Sequence, residues 1–134
     1  MIKDKLYSFD PVIYPRKLWI LYRPSLATIN KYFELKEGEA YSQNDYDYLM
    51  DKANGEVAPV VSKDQSLYGG LIIFKSKPSL GVILHESIHF CDYLYEEIGA
   101  LSQSFSNKNE PYAYLAEWVG NCIESILNDK IKWK

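Results

Sequence analysis

The chain has 134 residues, of which 47% are hydrophobic and 25% are charged. This composition is typical of a globular domain with its own core, and it excludes an intrinsically disordered chain. The net charge of −3 and the scattered Lys and Arg residues argue against a nucleic-acid partner. We therefore expect one domain over residues 1–134.

The sequence carries no signal for a membrane or for export. No apolar run approaches the roughly 18 residues of a transmembrane helix, and no apolar segment follows the charged residues at the start. Cys91 and Cys122 both lie in apolar helical patterns, which favours buried free thiols over a disulfide or a zinc site. These observations predict a cytoplasmic protein that does not bind membranes.

The first half of the chain predicts one strand, one helix and a loop. Residues 17–22 are aromatic and branched apolar, which is typical of a strand. Pro24-Ser25 opens a predicted helix that stops at Gly38. Residues 36–56 are polar and acidic and predict a solvated loop with room for one helical turn. A lid over a substrate is the alternative, because three tyrosines are interleaved there.

The second half predicts a hairpin followed by two helices. Apolar runs over 57–61 and 71–74 predict its two strands. Ser76-Lys77-Pro78 starts a long helix that is apolar on most sides and ends at Gly99, so we expect it at the centre of the fold. A polar loop over 100–108 precedes a last helix that opens at Asn109. The predicted fold class is α+β, with a small mixed or antiparallel sheet packed on the central helix and the C-terminal helix.

The central helix contains His85-Glu86-Ser87-Ile88-His89, which has the pattern H-E-x-x-H. Residues four apart share a helix face, so both imidazoles can bind one metal ion. Glu86 lies about 100° round the helix from His85, where a general base is needed. These are the only histidines, and burying them with a Glu would be costly without a metal. The alternative is a pair of ordinary helix histidines, partly buried and hydrogen-bonded.

A catalytic zinc site usually takes three protein ligands and leaves one position for water. With no third histidine, a carboxylate is the expected third ligand, and the candidates are Asp92, the pair Glu96 and Glu97, Glu110 and Glu117. Three ligands on one straight helix splay too far to close a tetrahedron, so we expect Asp92 beside the metal or simply exposed. A carboxylate from a second helix closes the site better, which leaves Glu110 and Glu117.

Together with Glu110-Pro111-Tyr112-Ala113-Tyr114, the histidine motif resembles the gluzincin metallopeptidases, in which a Glu on a following helix completes the site. That Glu often lies in an E-x-x-A-[D/N] stretch, and Tyr114 stands here at the Asp or Asn place. The C-terminal third also looks like small phage- and prophage-encoded zincin-like proteins. The resemblance implies a minimal zincin-like domain with Zn²⁺ bound by His85, His89 and Glu110. Glu110 can instead be a helix-start carboxylate favoured by the helix dipole.

The predicted activity is zinc-dependent hydrolysis of a peptide bond in a peptide or protein substrate. Zn²⁺ would lower the pKa of its water, and Glu86 would take the proton and return it to the leaving amine. Tyr114 could stabilise the oxyanion, although a packing role is the alternative. The strand over 71–74 would pair with an extended substrate, or serve only as a core strand.

Two other functions stay open on the sequence alone. One is a zinc-binding, zincin-like protein without general proteolytic activity, which would act as an interaction or regulatory module. The other is an accessory protein whose histidines bind no metal. Glu86 distinguishes the first of these from a peptidase, because a structural zinc site needs no carboxylate beside the metal.

Overall fold

The computed structural model describes residues 1–35, 37–51 and 54–129 of the chain. The described part contains five strands, four α-helices and one turn of 3₁₀ helix at Phe105–Asn107. In chain order the elements are β1 (Tyr7–Phe9), β2 (Lys17–Tyr22), α1 (Leu26–Tyr32), β3 (Phe33–Glu34), α2 (Gln43–Met50), β4 (Gly55–Ser62), β5 (Tyr68–Phe74), α3 (Leu80–Ile98) and α4 (Glu110–Ile126).

The five strands form one mixed sheet in the order β1-β2-β5-β4-β3. Strands β2 and β5 run parallel, with Lys17 opposite Gly69 and Tyr22 opposite Phe74. The other three pairs are antiparallel, and they include the predicted hairpin of β4 and β5. The structure therefore confirms the α+β class with a mixed sheet.

Helices cover both faces of the sheet. Neighbouring strand residues point to opposite faces, and the central strands are apolar at both sets of positions, so each face has to be covered. One core cluster joins α3 and α4 to the strand residues Leu18, Ile20, Ile72 and Phe74. A second cluster joins α1 and α2 to Trp19, Leu21, Leu71 and Ile73. The sheet is thus the middle of three layers, and the predicted central and C-terminal helices, α3 and α4, form one of the outer layers.

Helix α3 follows the sequence prediction closely. The Ser79 side chain accepts a hydrogen bond from the backbone N–H of Val82 and caps its start. Gly99 ends it with φ of 71°, in the left-handed region that glycine adopts without a steric cost. Helix α4 packs on α3, and the Tyr95 and Tyr112 rings meet edge to face there.

Two predictions for the region before β4 were wrong. The helix expected to run to Gly38 ends at Tyr32, because Phe33 enters the sheet as β3 and is fully buried there. The expected loop over 36–56 contains α2, which spans Gln43–Met50. A capping box between Ser42 and Asp45 starts this helix, and its buried Leu49 belongs to the second core cluster.

The expectation that the strand over 71–74 pairs with a substrate was also wrong, and the alternative of a core strand is confirmed. It lies in β5, which is hydrogen-bonded to β2 on one side and to β4 on the other. The unpaired edge beside α3 belongs instead to β4. Strand β3 pairs only with Val61 and Ser62, which leaves the earlier residues of β4 unpaired on their outer side. Gly55 and Glu56, which the sequence had assigned to the loop, are the first residues of that strand.

Among the helices of the described ranges, none combines the length and the apolar composition that crossing a membrane would need.

A substitution at Gly69 tests the close approach of β2 and β5. A Cβ atom there would lie 2.3 Å from the backbone oxygen of Lys17 and 2.6 Å from the Trp19 ring. We expect Gly69→Ala to lower the free energy of unfolding by about 1–3 kcal/mol, measured by denaturant titration.

Gly120→Ala is the matched control, because a Cβ at this position inside α4 meets nothing within 4 Å. Replacing a helical glycine by alanine is expected to raise the free energy of unfolding by about 0.5–1 kcal/mol. Equal effects of the two substitutions would contradict the strand packing described above.

Candidate active site

Helix α3 presents its motif residues in two directions. His85 and His89 are exposed one turn apart, whereas Glu86 points toward the sheet and is only 4% exposed. The expectation that the histidines are buried in an apolar helix was therefore wrong, and the cost of burial falls on Glu86 alone. The alternative of ordinary helix histidines expected partial burial, which is not found, and a hydrogen bond, which the two rings can form with each other.

The two imidazoles meet through their Nε2 atoms, which lie 3.1 Å apart. The rings are nearly perpendicular, at 81°, with centroids 4.6 Å apart. Two nitrogen ligands of a tetrahedral zinc ion, each about 2.0–2.1 Å from the metal, are separated by about 3.3 Å. The observed spacing fits a shared metal ion, and it also fits a hydrogen bond between two neutral rings.

The Glu86 carboxyl lies beside this pair, with Oε2 4.0 Å from Nε2 of His85. It is packed beneath β4 at Gly55, where a Cβ atom would come within 2.7 Å of Glu86 Cγ. Only a glycine leaves room for the carboxyl at this place. No other described residue forms a hydrogen bond with Glu86, although its side chain is almost fully buried.

Burial raises the pKa of the Glu86 carboxyl above its ordinary value. The charges of His85 and His89 act in the opposite direction, and Glu56 adds a smaller upward contribution. A carboxyl that is desolvated in this way is a stronger base than an exposed one.

A cleft of about 360 Å³ opens between α3 and β4 over these residues. Its lining contains both histidines and four carboxyl groups but neither lysine nor arginine, and it consists of Gly55, Glu56, Val57, Pro59, His85, Glu86, His89, Asp92, Tyr93 and Glu96. Asp92 accepts a hydrogen bond of 2.5 Å from the hydroxyl of Tyr112, which ties this wall of the cleft to α4.

The backbone of β4 faces the cleft with its unpaired edge. Ser62 N–H donates to Leu67 O at 2.8 Å, and Lys75 N–H donates to Asn54 O at 3.0 Å. The backbone N–H and C=O groups of the even-numbered residues of β4 therefore point toward β5. The register is continuous from Gly55 to Val61. Strand alternation then directs the backbone groups of Gly55, Val57 and Pro59 outward. Pro59, which has no N–H, stands where an edge strand tolerates it.

The structure does not bring Glu110 to the two histidines. Glu110 is the first residue of α4, is exposed and does not line the cleft. Tyr112 is the α4 residue that reaches α3, and two positions along a helix amount to about 200° of rotation. Glu110 therefore points away from the side of α4 that faces Asp92.

Glu117 and Tyr114 also lie elsewhere. Glu117 lines a separate groove between α3 and α4, beside Leu84 and Ile88. Tyr114 is 64% exposed and borders a third depression with Ile13 and Trp118. No group of three or more His, Cys, Asp or Glu residues is arranged to hold a metal ion within the described ranges. The structure thus brings His85, His89 and Glu86 together, and their roles as zinc ligands and base stay predictions, as does the third ligand.

Sequence reasoning had missed several residues of this cleft. Asp92 is not one of them, because it follows His89 by three positions, shares its helix face, and was expected beside the metal or on the surface. Gly55, Glu56 and Pro59 reach the site only through the pairing of β4 with β5, and neither spacing nor composition could have indicated them.

No protein-family model matches the chain, and comparisons with curated proteins and with solved structures find no match either.

The raised pKa of Glu86 gives a prediction about stability and pH. Because the folded state raises this pKa, the ionised carboxyl destabilises the fold at pH values above the folded pKa, and the cost disappears below the unfolded value. We expect Glu86→Gln to increase the free energy of unfolding of the metal-free protein at pH 7.5, and to increase it less at pH 5. Denaturant titrations in EDTA at both pH values measure this difference. A gain that grows on acidification would contradict the assigned direction.

Proposed function

We propose that this chain is a zinc-dependent peptidase whose active site is the cleft between α3 and β4. The observation that carries the proposal is the 3.1 Å spacing of the two histidine Nε2 atoms beside the buried Glu86 carboxyl. Imidazole nitrogen is a preferred ligand of Zn²⁺, and both nitrogens are exposed to the cleft. The proposal includes a cytoplasmic location, which the buried free thiols of Cys91 and Cys122 support.

His85 and His89 would hold the metal, and a carboxylate would complete the ligand set. When bound, Zn²⁺ would polarise the reacting carbonyl and make a water molecule more acidic. Asp92 lines the cleft and Tyr112 orients its carboxyl, so it would lie beside the metal, as expected for an acid on the same straight helix. Glu110 and Glu117 stay as the candidates that the sequence suggested.

Glu86 acts as the general base in this proposal. Its carboxylate removes a proton from the attacking water as the water oxygen bonds to the carbonyl carbon. The same carboxyl then gives the proton to the amide nitrogen as the carbon–nitrogen bond breaks. Burial beneath Gly55 suits this role, because it raises the basicity of the group and fixes its position.

The edge of β4 supplies a place for the substrate backbone. Gly55 and Val57 each direct an N–H and a C=O group toward the cleft, and an extended peptide can add to such an edge as a further strand. A peptide held there would lie along the wall opposite His85 and His89. The peptide bond is therefore the substrate class that the cleft accommodates best.

Metal binding is the first test of the proposal. We expect one zinc ion per chain in the wild-type protein, measured by elemental analysis after dialysis. His89→Ala should lower the affinity by at least about 100-fold, because it removes one of two imidazole ligands. Zinc that stays stoichiometric in His89→Ala would show that the ion binds elsewhere.

The same measurement identifies the third ligand. Asp92→Asn, Glu110→Gln and Glu117→Gln each replace a carboxylate by an amide of similar size. The substitution that removes a direct ligand should weaken zinc binding by about 10- to 100-fold, while the other two leave it within a few-fold of the wild type.

Peptide hydrolysis is the second test, and Glu86→Gln separates it from metal binding. We expect this variant to keep its zinc and to cleave a mixture of fluorogenic peptides at least about 100-fold more slowly than the wild type. Zinc binding without cleavage by the wild type would favour the alternative, a zinc-binding module without proteolytic activity. Cleavage that survives in Glu86→Gln would show that this residue is not the base.

A further inference from the structure

The cleft is distinguished by its unbalanced negative charge. Four acidic residues line it, namely Glu56, Glu86, Asp92 and Glu96, and none of the described lining residues is a lysine or an arginine. Arg16 contacts Tyr93 at the border of the cleft, but it is paired with Glu97 at 3.3 Å, and neither Arg16 nor Glu97 lines the cleft. A divalent metal ion would balance only two of the four carboxylates.

These carboxyl groups are not equivalent. Glu86 is 4% exposed, points into the cleft and has no hydrogen-bonding partner among the described residues. The Asp92 carboxyl accepts from Tyr112 and is partly satisfied. Glu56 and Glu96 form no ion pair in the described part of the chain. Glu56 follows Gly55 in β4, whereas Glu96 lies on α3 two turns beyond His89. The two acidic residues without an ion pair therefore lie on opposite walls of the cleft, Glu56 on β4 and Glu96 on α3.

The β4 edge sets the form of a ligand that would meet these charges. Gly55 to Pro59 span about 13 Å at 3.3 Å per residue, the length of a short extended segment of four or five residues. Such a segment presents side chains alternately to the two sides, so that basic groups on it can approach either wall of the cleft.

We propose that the cleft selects extended peptides that carry lysine or arginine side chains next to the bond that reacts. The part about cleavage rests on the proposed peptidase function, whereas the part about binding does not. A long basic side chain brings its charge to Glu56 or Glu96 while its backbone pairs with β4. Acidic peptides meet the same carboxylates with repulsion, so the preference has both an attractive and a repulsive component.

Binding of matched peptides tests the proposal without requiring turnover. The full chain with Glu86→Gln, loaded with zinc, is titrated against fluorescent hexapeptides in which lysine or glutamate occupies the same positions. We expect the lysine peptide to bind about tenfold tighter or more at low salt, and the difference to shrink in 0.5 M NaCl, about the range where screening is strong. Equal affinities would overturn the proposal.

Single charge removals locate the preference. Glu56→Gln and Glu96→Gln should each reduce the lysine preference by about two- to fivefold, as expected for single solvent-accessible ion pairs. Glu124→Gln is the control, because Glu124 is an exposed residue of α4 that lines a different groove. An equal loss in Glu124→Gln would show that the overall charge of −3 causes the preference, and would overturn the proposal.

A lysine peptide with N-methyl groups at alternate residues tests the backbone pairing. Methylation that faces β4 removes donors and should weaken binding at least about tenfold, whereas shifting the methyl groups by one residue should leave it largely intact. Equal binding of the two methylated peptides would overturn the pairing with β4. Cleavage without a charge preference would sink this inference alone, while a charge preference without cleavage would sink only the peptidase proposal.

Discussion

The packing of α3 against β4 at one glycine determines the geometry of the whole site. Gly55 allows the helix to come close enough for the Glu86 carboxyl to fit beneath the strand. That contact fixes the rotation of α3, and the rotation in turn places His85 and His89 on the open side of the helix, above the carboxyl. The packing of the fold therefore fixes the position of the Glu86 carboxyl, while the two imidazoles stay accessible to a ligand. The proposed base and the proposed metal ligands need this division between a fixed group and accessible ones.

The energetic cost of this arrangement is concentrated in one residue. The Glu86 carboxyl is largely desolvated and its pKa is raised, so its ionised form destabilises the fold, although the group borders the cleft and lies 4.0 Å from His85. The surrounding structure is well packed, with Phe90 and Leu94 of the same helix fully buried, and it can carry that cost. A strained or desolvated group in a cleft is thus a better indicator of a functional site here than the overall shape of the chain.

Much of the fold could be predicted from the sequence, and the reasons for the errors are physical. Ser79 and Gly99 cap the two ends of α3, and Pro78 stands just before the first cap, so both ends could be read from local sequence signals. The acidic composition around α2 concealed a helix whose start depends on two side chains, Ser42 and Asp45. Gly55 and Glu56 looked like loop residues, because their place in β4 depends on partners almost twenty residues away, Phe74 and Ile73. Local signals were visible in the sequence, whereas long-range pairing was not.

The candidate site also has a part that the sequence could predict and a part that it could not. The motif on α3 could be predicted because four residues along a helix always return to the same face. The third ligand could not, since its position depends on where the connection after Gly99 directs the first turn of α4. Tyr112, rather than Glu110, is the residue of that turn that reaches α3. The spacing along the chain predicted that α4 would pack beside α3, but it did not determine which residues of α4 would face the site.

The unpaired edge of β4 has a consequence for how copies of this protein behave toward one another. A strand that can accept a ligand can equally accept the edge of another molecule, and such pairing is a common route to aggregation. Pro59 interrupts the row of donors within that edge, and the Glu56 carboxylate places the same sign of charge on both copies. The strand thus remains open to a short peptide of opposite charge, while its edge resists pairing with the same edge of another copy.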